Sequence, residues 1–225
     1  MSDKIYNILV TRLPYAEHYD PAILLSQIQK VEARGLICIS MPLHIENPSN
    51  GARLICQLQD SGLFLVSMVA WMRDRHIVTT RSRRLTNTWE PLAIFGRVSD
   101  YVINREAATK IKKGYEGKEN SFDEEDFSTC IGDYWPIRND RRDRRFLPFG
   151  AVLNCCQLGD LQPGDVVFDP YGNPGIKDSC RLLGWKYVDG GLENPARNFK
   201  GEIDEDSDVS GERSENKGEG SPVDL

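Results

Sequence analysis

Asp165-Val166-Val167-Phe168-Asp169-Pro170-Tyr171-Gly172-Asn173-Pro174-Gly175 is the stretch whose reading decides the fold. Its apolar run has the length of a buried strand, Asp-Pro-Tyr-Gly-Asn-Pro carries turn chemistry, and a helix is expected from near Gly175. Strand, tight turn and helix in that order set a carboxylate and several backbone N–H groups at the carboxyl edge of a parallel sheet. Open α/β folds bind ligands at that edge.

The flanks support the same layout. Upstream, Pro148 to Leu161 reads as a helix with Val152, Leu153 and Cys156 inward; downstream, a helix ends at Gly184 and Trp185-Lys186-Tyr187-Val188 forms a final strand. In the N-terminal half, Ile5 to Val10 is a strand ending at Thr11-Arg12-Leu13-Pro14-Tyr15. Asp20 and Pro21 then open a helix with Ile23, Leu24, Ile28 and Val31 on one face. Leu36–Ser40 is a second strand, Ser49 or Asn50 opens a helix with Leu54, Ile55 and Leu58 inward, and Leu63–Trp71 and Pro91–Phe95 are further strands. This alternation predicts an α/β fold with a mostly parallel sheet and helices on both faces.

Residues 1–198 read as one domain, interrupted by a polar excursion over 99–145. An arginine-rich loop (Arg81, Arg83, Arg84) precedes the excursion, and a second cluster (Arg138, Arg141, Arg142, Arg144, Arg145) lies within it. The net charge of −6 is misleading, because residues 200–225 hold nine acids and three bases and the remainder is neutral. That composition, with no aromatic residue after Phe199, predicts a disordered acidic tail over 199–225. No apolar run reaches membrane-spanning length and Met1-Ser2-Asp3-Lys4 has no signal-peptide pattern. The six cysteines lack metal-ligand spacing, so reduced, mostly buried thiols in a cytoplasmic protein are expected, with no metal.

With these segments in place, the order resembles the permuted (β-class) family of DNA amino-methyltransferases, which move a methyl group from S-adenosylmethionine to the exocyclic amine of adenine or cytosine. The resemblance runs from about Ile5 to Glu193. Arg84 to Phe95 is similar to the family's segment in which an Arg, an Asn and a Glu precede an apolar strand. Gly132-Asp133-Tyr134-Trp135-Pro136-Ile137 looks like its G-D-x-W-x-I step, and Pro148-Phe149 opens the helix that packs on the cofactor's methionine end. Pro163 to Tyr171 resembles its P-G-D-x-V-L-D-P-F. The resemblance implies a Rossmann-like methyltransferase sheet in circularly permuted order. It also implies S-adenosylmethionine as cofactor and Asp169, Pro170, Tyr171, Asn173, Gly175 and Asp189 as the cofactor-binding positions.

The chain departs from the family where the chemistry would occur. The catalytic turn should be Asp, Asn or Ser followed by Pro-Pro-Tyr, whose first side chain accepts hydrogen bonds from the target amine and whose aromatic residue stacks on the flipped base. Here the aligned residues are Arg12-Leu13-Pro14-Tyr15, so Pro14 and Tyr15 remain while Arg12 offers donors and no acceptor. A fixed positive charge there would also repel a sulfonium. In the cofactor turn, D-P-F-x-G-x-G-T, Asn173 stands for a Gly that could take positive φ, and Ile176 for the Thr. Gly191 stands where an acid should hold the ribose, so Asp189 or Glu193 would serve only with a shift. The strand that precedes the catalytic strand in the family has hardly room before Ile5, which predicts a sheet one strand short.

Each residue also has a plainer role. Asp169 suits a cofactor carboxylate and a strand-end acid that caps the next helix equally well. Tyr15 suits a stacking platform or a half-buried strand-end aromatic. The arginine clusters suit a phosphate contact or a solvated surface. Three functions follow: a catalytically degenerate member acting as a DNA-binding protein or as the subunit of a protein partner or homo-oligomer, an active methyltransferase with unusual motifs, or a repurposed nucleotide- or protein-binding fold. The departures at Arg12, Asn173 and Gly191 favour the first.

Overall fold

The computed structural model describes residues 5–14, 19–42, 47–72, 89–101, 103–104, 106–107, 134–135, 137 and 147–193. They form β1 (Ile8–Arg12), α1 (Pro21–Ile28), β2 (Leu36–Ser40), α2 (Asn50–Asp60), β3 (Phe64–Met72), β4 (Trp89–Gly96), β5 (Tyr134–Trp135), α3 (Phe149–Leu158), β6 (Val166–Asp169), α4 (Pro174–Leu183) and β7 (Lys186–Asp189). Among the described residues the sheet has seven strands, in the order β5-β3-β4-β2-β1-β6-β7. All pairings are parallel except those of β4, which runs antiparallel to both β2 and β3.

Two cores, one on each face, hold the layers together. On one face Leu24 and Ile28 of α1 and Leu54, Ile55 and Leu58 of α2 pack on Leu9, Ile37, Ile39, Phe95 and Phe168. On the other, Ala151, Val152, Cys155 and Cys156 of α3 and Ile176 and Cys180 of α4 pack on Ile8, Val10, Cys38, Trp71 and Ile94. The alternation of faces along β1 and β2 is what a central strand with both sides covered requires. Truncating any of these buried aliphatic side chains to Ala removes about 2–5 kcal/mol.

The chain leaves β1 through α1 toward β2 and leaves β6 through α4 toward β7, so β1 and β6 are neighbours whose connections part in opposite directions. Their carboxyl ends form the topological switch point, the crevice at which such sheets bind ligands.

Several expectations need correction. The first strand is shifted: Ile5 is 69% exposed, and Thr11 and Arg12 extend β1 by pairing with Ile39 and Ser40. Hydropathy ends the strand at Val10 because the next two residues are polar, but both find buried partners. Ile23 faces out at 45% exposure, since α1 turns Leu24 and Ile28 inward. α3 is shorter than 148–161, and it buries Ala151 and Cys155 while Leu153 lies partly exposed. The excursion over 99–145 supplies β5, whose Trp135 pairs with Trp71 at one edge of the sheet. Among the described residues β7 is the edge on the other side. The tail over 199–225 lies outside the described residues.

Candidate functional site

The switch point is built from two polar clusters at the carboxyl edge. The first begins with Asp169, the last residue of β6 and fully buried. Its Oδ1 accepts from the Thr11 hydroxyl (2.6 Å) and from the Tyr171 N–H (3.2 Å); its Oδ2 accepts from the Asn173 N–H and the Tyr187 hydroxyl. Burial raises the Asp169 pKa to about 6, and those donors keep it from rising further. Burial, with the same carboxylate nearby, pushes the Cys180 thiol up to about 12.

The turn that follows is satisfied from within. Gly172 N–H donates to the Asp169 carbonyl (3.3 Å), and Asn173 Oδ1 accepts from Gly175 N–H (2.9 Å) as the N-cap of α4, with Pro174 in the first turn. The Asn173 carbonyl accepts from Ile176 and Lys177. Every backbone N–H from Tyr171 to Lys177 therefore already has an acceptor inside the turn. The exit from β7 closes over it: Gly190 N–H donates to the Asp169 carbonyl (2.9 Å) and Leu192 N–H to the Pro170 carbonyl (3.0 Å). A Cβ on Gly190 would lie 2.7 Å from the Pro170 Cα, so only glycine allows this approach.

Two sequence-based readings change here. Asn173 is not a stand-in for a positive-φ glycine, because its φ is −75° and Gly172 takes the left-handed position at 61°. Asn173 is there as a cap. Asp169 does not cap α4 itself; it ties down the turn before it. Asp189 is exposed and its Oδ1 accepts from Gly191 N–H (2.8 Å), with Gly191 at φ 72°.

The second cluster centres on Arg12, which is 6% exposed. Its Nε and Nη2 donate to Glu90 Oε1 and Oε2, both at 2.8 Å, in a forked ion pair between β1 and β4. Ser40 donates to Glu90 Oε1 (2.6 Å), and Trp71 Nε1 donates to Ser40 Oγ (3.1 Å). These residues end or begin strands at one edge because β4 runs antiparallel to β2 and β3. The fixed positive charge read from the sequence is thus neutralised by Glu90, and the electrostatic objection to a sulfonium falls. The objection from donor chemistry stands, since no acceptor replaces the missing oxygen at residue 12 itself.

Pro14 is buried and its carbonyl accepts from the Tyr19 hydroxyl (3.1 Å). Tyr15, Arg81, Arg83, Arg84, Arg138, Arg141, Arg142, Arg144 and Arg145 lie outside the described residues. Ser40, Trp71 and Tyr187 were not legible as site residues; each is an ordinary strand residue whose polar atom matters only once the sheet order is known. A cavity of about 200 Å³, lined by Asn104, Glu106, Gln157 and Asp160 among others, lies beyond the C-terminus of α3, at the amino end of β6 and away from both clusters. No metal-binding group of three or more His, Cys, Asp or Glu occurs among the described residues, and no helix among them is long and apolar enough to cross a membrane.

The fold itself has relatives of known structure. No family model matches the chain and no curated protein matches it in sequence. The M1.HpyAVI–SAM complex superposes with a TM-score of 0.55 at 13% identity, covering 83% of this chain and 83% of that one. PvuII DNA methyltransferase (cytosine-N4-specific) gives a TM-score of 0.61 at 13% identity, covering 83% of this chain and 74% of its own. At such identity the likeness is one of architecture: the chain has the Rossmann-like α/β fold of DNA methyltransferases.

Proposed function

We propose that this chain is a catalytically silent protein on the DNA amino-methyltransferase fold, of the permuted class, acting as a DNA-binding protein or as the subunit of an active partner. The observation that carries the reading is the closed carboxyl edge. An S-adenosylmethionine bound at the switch point would need free donors and space at Asp169, Pro170, Tyr171, Asn173, Gly175 and Asp189. Thr11 bridges β1 to Asp169, the turn's N–H groups are spent internally, and the loop after β7 seals the Asp169 and Pro170 carbonyls. At the acceptor position the Arg12–Glu90 pair fills the place where an oxygen would steer the target amine. The residues present do not fit the cofactor.

DNA is the partner that the arginine clusters and the fold's relatives support. In sequence the first cluster lies between β3 and β4 and the second between β5 and α3, and arginine contacts to phosphate give affinity that falls steeply with salt. The test combines two measurements on the full chain. Labelled S-adenosylmethionine with DNA should leave no methyl on the DNA, and binding of duplex DNA should weaken with salt and with replacement of Arg138, Arg141, Arg142, Arg144 and Arg145. Methyl transfer would establish an active enzyme with unusual motifs. Absence of DNA binding would instead favour a repurposed protein-binding fold, to be sought by its partner.

A further inference from the structure

The Arg12–Glu90 pair has a feature that an ordinary buried ion pair lacks. The carboxylate is held in place without the arginine: Ser40 donates to Oε1 at 2.6 Å, and Trp71 orients Ser40 from β3. Glu90 is therefore a pre-oriented acceptor, fixed by β2, β3 and β4, while its ligand comes from β1. The two are also layered. The Arg12 side chain keeps 7% exposure and that of Glu90 only 2%, so the guanidinium stands between the carboxylate and solvent. Both oxygens meet parallel N–H groups at 2.8 Å, the geometry of a planar fork.

We infer that Glu90, Ser40 and Trp71 form a receptor for a planar cation with two parallel N–H donors, a guanidinium or amidinium, and that Arg12 is its built-in occupant. The site is autoinhibited: nothing from outside can use Glu90 while Arg12 holds it. This rests on the reading that the edge is closed to the methyl donor, but concerns a different ligand and a different set of atoms. A lysine would not serve in place of Arg12, because an ammonium presents one point charge and cannot span both oxygens.

The test removes the plug. In the full chain, Arg12→Ala should melt below the unmodified protein, and methylguanidinium at millimolar concentration should raise its midpoint in a saturable way. The expected rise is roughly 3–6 °C at ten times the dissociation constant. Methylammonium at equal concentration should not reproduce it, and Arg12→Ala with Glu90→Gln should lose it. The unmodified protein should show no such rise. If Arg12→Ala does not fold unaided, recovery of folded protein on refolding with methylguanidinium but not methylammonium supports the receptor, and failure with both overturns it. Equal rescue by both cations, or a rise that survives Glu90→Gln, also overturns it. A titration of the unmodified protein with S-adenosylmethionine runs alongside. Binding there would sink the silent reading while leaving the guanidinium result to be judged by itself.

Discussion

The two clusters at the carboxyl edge close the same crevice by different means. At Asp169 the closure is local: a carboxylate, a capping amide and a glycine at positive φ satisfy one another within a few residues, with Thr11 and Tyr187 added from neighbouring strands. At Arg12 the closure is long-range, a forked ion pair between residues 78 apart in sequence. Local closure leaves a signature in the sequence and costs little to build. Long-range closure depends on strand order and is all or nothing, because either partner alone is a buried unmatched charge.

That contrast gives the largest expected effect. Glu90→Leu or Arg12→Met alone should cost about 3–5 kcal/mol in urea unfolding, whereas the two together should cost far less than the sum. Additive, small losses would mean the pair is not the long-range clamp described. The same physics bears on any attempt to rebuild the catalytic turn by Arg12→Asp with Asn173→Gly. It would set a second carboxylate against Glu90, so stability should fall unless Glu90 is changed too.

The Asp169 cluster should respond to pH. Its folded pKa, about 6, lies above the 3.8 of an ordinary aspartate. The folded state thus holds a proton that the unfolded chain has already released. Its contribution is complete below the unfolded value and is lost as pH rises through about 6, a change of about 3 kcal/mol between pH 4 and 6. Unfolding curves against pH for the unmodified protein and Asp169→Asn should differ by this sloping term. Parallel curves would contradict the buried ionisable site.

Smaller effects separate the parts of the turn. Asn173→Ala should lose about 1 kcal/mol as the cap of α4 goes, and Asn173→Gly only a few tenths. If glycine proves worse than alanine, the capping role is wrong. Asp189→Ala removes an exposed acceptor for the Gly191 N–H and should stay within about 0.5 kcal/mol, a value readable from the urea midpoint.

Much of this fold was legible in the chain. The 165–175 stretch gave strand, turn and helix nearly in place because Asp, Pro, Gly and Asn act through local backbone chemistry. Leu54, Ile55 and Leu58 of α2 were placed inward by periodicity alone. What failed was non-local. Nothing in Thr11-Arg12 says that two polar residues continue a buried strand, since the reason lies in Ser40, Glu90 and Asp169 on other strands. Nothing in Gly132 to Ile137 announces a strand pairing with β3, because two residues carry no period. The roles of Asn173 and of the Arg12 charge were misjudged for the same cause: one was set by φ and the other by a distant carboxylate.

The central claim is that the switch point is closed to the methyl donor by its own hydrogen bonds. Calorimetric titration of the unmodified, full-length protein with S-adenosylmethionine tests it most directly. Absence of binding at millimolar ligand is the expected result; saturable binding in the micromolar range would contradict it.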